Sequence, residues 1–170
     1  MNQSTLKIRL SVFMFLQYFI WGSWYVSMAT YLGKTLGFEG GQIGLAYGAF
    51  AIGAMISPFF VGLIADRYFA SEKLLAFLGI LGGLLMFLLP KLTSFGAFYP
   101  VLIAYCATYA PTLALGNSLS LHHLANPKRD FPLVKTLSAV GWTSGGVTLC
   151  LALEADETAV MLFPGGADRL

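Results

Sequence analysis

Apolar residues in this chain gather into five runs of about 20, set apart by short polar breaks. They neither alternate, as in a half-buried strand, nor recur every 3.6 residues, as on a soluble amphipathic helix. The runs cover Leu10–Leu32, Ile43–Ala65, Leu74–Leu92, Phe98–Leu121 and Thr136–Leu153. At a helical rise of about 1.5 Å per residue each can cross a hydrocarbon core of about 30 Å. Lipid offers no partner to backbone N–H and C=O groups, so consecutive single passes must be helical. The expected fold is therefore all-α, a polytopic membrane helix bundle. A sixth apolar run, Ala159–Phe163, meets Pro164-Gly165-Gly166. Residues 159–170 are expected to be the truncated start of a sixth helix.

Composition agrees with this pattern. Charged residues make up 11% of the chain and hydrophobic residues 57%, against about 25% charged in soluble domains. So few charges cannot cover a water-facing surface. The net charge of +2 gives no reason to expect nucleic acid as a partner; the expected surroundings are a lipid bilayer. Lys7, Arg9, Arg67, Lys73, Lys128, Arg129 and Lys135 fall on one side of the predicted spans, and only Lys34 and Lys91 on the other. The positive-inside rule then places the N-terminus in the cytoplasm. The acidic stretch Glu154–Thr158 suits an outer loop. Lys7 and Arg9 before an apolar run resemble a signal peptide's start, but the run is too long and lacks a small-x-small cleavage site. Cys106 and Cys150 lie inside apolar runs without zinc spacing and read as small buried hydrophobes.

Glycines concentrate within the spans: the small-xxx-small pair Gly44 and Gly48, then Gly79, Gly82 and Gly83, then Gly141, Gly145 and Gly146. They imply close helix packing, or bending in a moving bundle. Polar residues inside spans are the functional candidates. Gln17, Trp21, Trp24, Met28 and Tyr31 follow a 4-3-4-3 spacing along one face of the first span. Tyr105, Tyr109, Thr112 and Gly116 share a face of the fourth, with Asn117 beside it and Pro111 as a kink or a source of a free carbonyl. His122 and His123 point about 100° apart on a helix, which makes an interfacial loop pair a better reading than one proton site. Lys135 opens the fifth span, with Ala139 and Trp142 on its face at +4 and +7. That is either a cradle for a polar ring or a snorkelling lysine. Gly62, Asp66 and Arg67 occupy the break between the second and third spans. A carboxylate and a guanidinium one turn beyond a glycine can brace helices at the cytoplasmic face, which points to a transporter. No paired carboxylates, zinc motif, nucleophile elbow or phosphate loop is present, so neither an enzyme nor a metal or other cofactor is expected.

Several of these segments carry a family resemblance. Gly62-x-x-x-Asp66-Arg67 resembles the loop signature of the major facilitator superfamily, although Phe69, Ala70 and Ser71 replace its later glycine and basic pair and leave Lys73. Phe15-Leu16-Gln17-Tyr18-Phe19-Ile20-Trp21-Gly22-Ser23-Trp24 is similar to the first helix of the nucleoside:proton symporter family. The stretch from Tyr109 through Pro111-Thr112-Leu113 to Ser118 resembles that family's fourth helix. Asp130-Phe131-Pro132, followed by Lys135 and Gly141-Trp142, resembles the beginning of its fifth. The resemblance implies twelve helices in two halves around a central substrate, with this chain an incomplete amino-terminal six-helix half lacking its carboxy-terminal partner. It implies a nucleoside and a proton as the transported species and a bacterial inner membrane as the location. Lys135 and Trp142 would then bind substrate, joined by Gln17 and Asn117, while Gly62, Asp66 and Arg67 would form a gating loop. The family's usual arginine is Lys135 here, and its hydroxyl position holds Ala139. A facilitator for sugars or drugs and a small non-transporting membrane subunit are the alternatives.

Overall fold

The computed structural model describes residues 2–65 and 71–149. Five α-helices make up nearly all of it: α1 (Gln3–Thr30), α2 (Gly40–Ala65), α3 (Ser71–Leu88), α4 (Phe95–His123) and α5 (Pro127–Val147). A wide π turn, Tyr31–Thr35, follows α1, and a 3₁₀ turn, Leu89–Lys91, follows α3. There is no strand among the described residues.

Two helices begin well before their apolar runs because capping, not hydropathy, decides where they start. Asn2 accepts the Ser4 N–H at 3.3 Å and lets α1 form through its polar first turns. Asn126 accepts the Arg129 N–H at 3.4 Å, and Pro127 supplies a first helical residue that has no N–H to satisfy. The helix therefore starts nine residues ahead of Thr136, and Lys135 lies inside α5 instead of opening it. His122 and His123 form the last turn of α4 instead of a loop; His123 Nδ1 lies 3.0 Å from the Leu119 carbonyl.

Gly40–Ser57, Glu72–Lys91 and Phe95–His123 are long and apolar enough to cross a membrane. Among the described residues α1 and α5 are not in that group. They carry the Gln, Tyr, Trp, Lys, Ser and Thr side chains that lower their apolarity.

The chain divides into two compact units. One comprises residues 1–31 and 116–170, the other residues 32–115, so that α4 passes from one to the other after Leu115. In the first, α1 and α5 meet backbone to backbone. A Cβ on Gly141 would overlap the Phe15 carbonyl, one on Gly145 the Phe19 carbonyl, and one on Gly22 the Trp142 carbonyl. Such contact replaces the hydrophobic drive that lipid cannot provide between helices. Phe15 pairs with Gly141 and Phe19 with Gly145, so the two helices run parallel. Towards their N-terminal ends Met14, Leu124 and Val134 form a core flanked by Leu10, Phe13, Tyr18 and Phe131. Beyond it Lys7 Nζ lies 2.7 Å from Asp130 Oδ2. Asp130 is buried in the first turn of α5, where the helix dipole also favours a carboxylate.

In the second unit Gly53 lies against the backbone of Cys106 and Ala107, and Gly82 faces Thr108. Gly37, at φ +68°, turns the chain after α1, and Phe38 packs edge-on against Phe95 and Phe98. The packing expected of Gly44 and Gly48 is not found: no described atom lies within 4 Å of a Cβ at either, and the same holds for Gly79 and Gly83. Spacing alone marks glycines that could pack; which ones do depends on where the neighbouring backbone runs.

Two outcomes follow for stability in detergent, read as thermal melting. Gly141→Val forces a side chain into an immobile carbonyl, and a loss of about 1–3 kcal/mol is expected. Gly44→Ala meets open space and should be neutral or add about 0.5–1 kcal/mol. Equal losses at both would contradict the packing assignment. Lys7→Met strands the Asp130 carboxylate. Breaking a fully buried pair costs about 3–5 kcal/mol, but Lys7 is 40% exposed and screened, so about 1–2 kcal/mol is expected. Asp130→Asn should lose less than Lys7→Met, and the reverse order would mean that the carboxylate has no need of its cation.

Candidate functional site

Three helices of the first unit bring polar side chains to one point. Lys135 of α5 donates from Nζ to Tyr18 Oη of α1 at 2.5 Å and to Asn117 Oδ1 of α4 at 3.1 Å. All three residues are partly buried. The α1–α5 contact places Tyr18 here, because its chain neighbourhood is fixed at Phe15 and Phe19 by Gly141 and Gly145. Nζ also lies 4.3 Å from the Tyr18 ring centroid. A hydrogen bond at the phenolic end accounts for that separation without the ammonium sitting over the ring face.

Both acceptors are neutral. Among the described residues no carboxylate pairs with Lys135, and the unit's described carboxylate, Asp130, is bound to Lys7. An ammonium has three N–H donors, and among the described residues two of them have acceptors, Tyr18 and Asn117. A partly buried positive charge within a helix, held by neutral groups, can bind an acceptor-rich ligand. Asn117 turns its oxygen to the ammonium, which leaves its amide N–H groups as donors.

Trp142 lies two turns along α5 from Lys135, about 10 Å at 1.5 Å per residue. Its carbonyl rests against Gly22, so its backbone is fixed, while the residue as a whole is 38% exposed. Ala139, between the two, is exposed as well. Lys135, Ala139 and Trp142 thus line one face with a cation at one end and an indole at the other. Gln17 is partly buried on α1. Gly62 falls in α2; Asp66 and Arg67 lie outside the described residues.

The face expected on the fourth span divides. Tyr105 and Tyr109 are buried and stacked, with centroids 5.7 Å apart, and belong to the second unit, as does Thr112, whose hydroxyl donates to the Tyr109 carbonyl at 2.6 Å. Gly116 and Asn117 belong to the first. On α1, Tyr18, Trp21, Tyr25 and Trp24 form a chain of ring contacts at 5.5–5.8 Å, and Trp24 is buried packing. Sequence reasoning did not assign Tyr18, Gly22 or the Lys7–Asp130 pair. The sole sequence signal for Tyr18 was a hydroxyl within an aromatic run. No cluster suited to a metal ion occurs among the described residues.

A profile of the family described as Nucleoside H+ symporter matches residues 4–162. YegT of Escherichia coli (strain K12) is 42% identical over 139 residues, which are 82% of this chain and 32% of YegT. The xanthosine permease of the same strain is 33% identical over 142 residues, 81% of this chain and 34% of that protein. A crystal structure of the nucleoside transporter NupG superposes with a TM-score of 0.88 at 28% identity, covering 95% of this chain and 41% of that one. The chain thus spans about a third of the length of the curated relatives it matches. Its helices adopt the major facilitator arrangement seen in NupG and make it an integral membrane chain. By the extent of the profile match and the shared fold, the chain belongs to the nucleoside H+ symporter family.

Proposed function

We propose that this chain forms the amino-terminal wall of a nucleoside:proton symporter working by alternating access, with a carboxy-terminal half supplying the facing wall and the proton-carrying acids. The observation that carries the reading is the Lys135 ammonium, held by Tyr18 and Asn117. A nucleoside offers what such a wall lacks: acceptor oxygens for the cation and a flat base for the indole of Trp142. Gln17 and the Asn117 amide add hydrogen-bonding groups to the same wall. Relatives carry nucleoside and xanthosine permease names, in keeping with a nucleoside as ligand. Lysine in place of arginine gives a point charge instead of a two-pronged fork, and Ala139 offers no hydroxyl, so recognition here leans on one directed bond and on stacking.

The N-terminus and the α4–α5 connection are assigned to the cytoplasmic face of a bacterial inner membrane. The basic residues concentrate there, and the Lys7–Asp130 pair holds the first turns of two parallel helices together at that end. Gly62, Asp66 and Arg67 would gate from the same face by favouring one of the two access states.

In the assembled transporter, this chain completed by a carboxy-terminal half, calorimetric titration with uridine tests the site. Trp142→Ala is expected to weaken binding by about 1–3 kcal/mol, as loss of base–aromatic stacking does elsewhere. Lys135→Arg should hold or improve affinity, since the fork donates two directed bonds. Unchanged affinity in Trp142→Ala would remove the stacking role and leave the indole as packing. Orientation is tested by thiol labelling of Glu39→Cys and Ala125→Cys, with Cys106 and Cys150 replaced by serine. Position 125 should label only from the cytoplasm and position 39 only from outside; the opposite pattern would invert the topology.

A further inference from the structure

We infer that Tyr18 is a positioning residue for nucleoside recognition: its phenol fixes the direction of the Lys135 ammonium. The inference rests on the proposed nucleoside site and extends it to a side chain on a different helix. A lysine head is a compact charge on a flexible four-carbon stem, so the direction of its donors is set by whatever accepts from it. Tyr18 is suited to set it. Its ring has few rotatable bonds, and its stretch of α1 is locked to α5 at Phe15–Gly141 and Phe19–Gly145. Its oxygen accepts the Lys135 N–H at 2.5 Å, and Asn117 takes a second N–H at 3.1 Å. Two fixed acceptors leave the tetrahedral ammonium a single direction for its third donor. Because the phenolic oxygen accepts from Lys135, its own proton must point away from the cation. Without Tyr18, the stem swings freely about the Asn117 contact, and a ligand would have to order it on binding, which weakens affinity.

The test is a double-mutant cycle on the assembled transporter, read by uridine binding and by the KM and kcat of uptake. Tyr18→Phe keeps the ring and removes the acceptor. It is expected to raise the uridine Kd about tenfold, the scale of a hydrogen bond to a charged group, and to raise KM with kcat little changed. Lys135→Gln should raise Kd by at least as much. Adding Tyr18→Phe to Lys135→Gln should change nothing further, because Tyr18 acts through the ammonium. A purely structural tyrosine would instead give additive losses and a lower melting temperature in both backgrounds. Additive losses, or a Tyr18→Phe variant with normal Kd while Lys135→Gln is weakened, would overturn the inference and leave the nucleoside site standing. Normal Kd in both variants would overturn the inference and the nucleoside site together.

Discussion

The close approach of α1 and α5 at Gly22, Gly141 and Gly145 is the constraint from which the geometry of the first unit follows. No side chain separates the two backbones there, so neither helix can slide or rotate without driving a carbonyl into its neighbour. That contact brings Tyr18 to Lys135, sets the backbone of Trp142 against Gly22 and aligns Lys7 with Asp130. The energetic logic is that of helices in lipid. Dispersion between close backbones supplies association, and polar side chains are tolerated where they satisfy one another.

Charge is distributed along this helix pair in a consistent way. The described carboxylate of the unit is used at one end, where it neutralises Lys7 and sits in the positive field of a helix N-terminus. One to two turns further in, Lys135 meets oxygens without charge. The two hydrogen bonds replace part of the hydration that the ammonium gives up on burial. The departure from arginine fits the surroundings. Tyr18 and Asn117 give a rotatable ammonium the direction that a guanidinium carries in its own plane.

The helical membrane architecture was legible from the length of the apolar runs, and the family from the aromatic run before Gly22, the stretch around Pro111 and the residues leading to Lys135. The start of α5 was not, because an Asn cap and a proline carry a helix beyond its apolar segment, and hydropathy does not register caps. Lys135 was visible as a charge near a span, but its partners were not. Tyr18 and Asn117 lie 117 and 18 residues away in sequence, and only the helix crossing brings them together. Glycine spacing was a guide in part: Gly141 and Gly145, four apart, pack against α1 as expected, whereas Gly44 and Gly48 have the same period without a described neighbour, and Gly22 packs without belonging to such a pair.

A structure of the assembled transporter with a nucleoside bound tests the central claim most directly, that Lys135 is a ligand-binding cation oriented by its neighbours. The account predicts Lys135 Nζ within about 2.7–3.2 Å of a ligand oxygen while it keeps its contact with Tyr18 Oη. A bound nucleoside with Nζ still confined to Tyr18 and Asn117, and no ligand atom within hydrogen-bond reach, would contradict it.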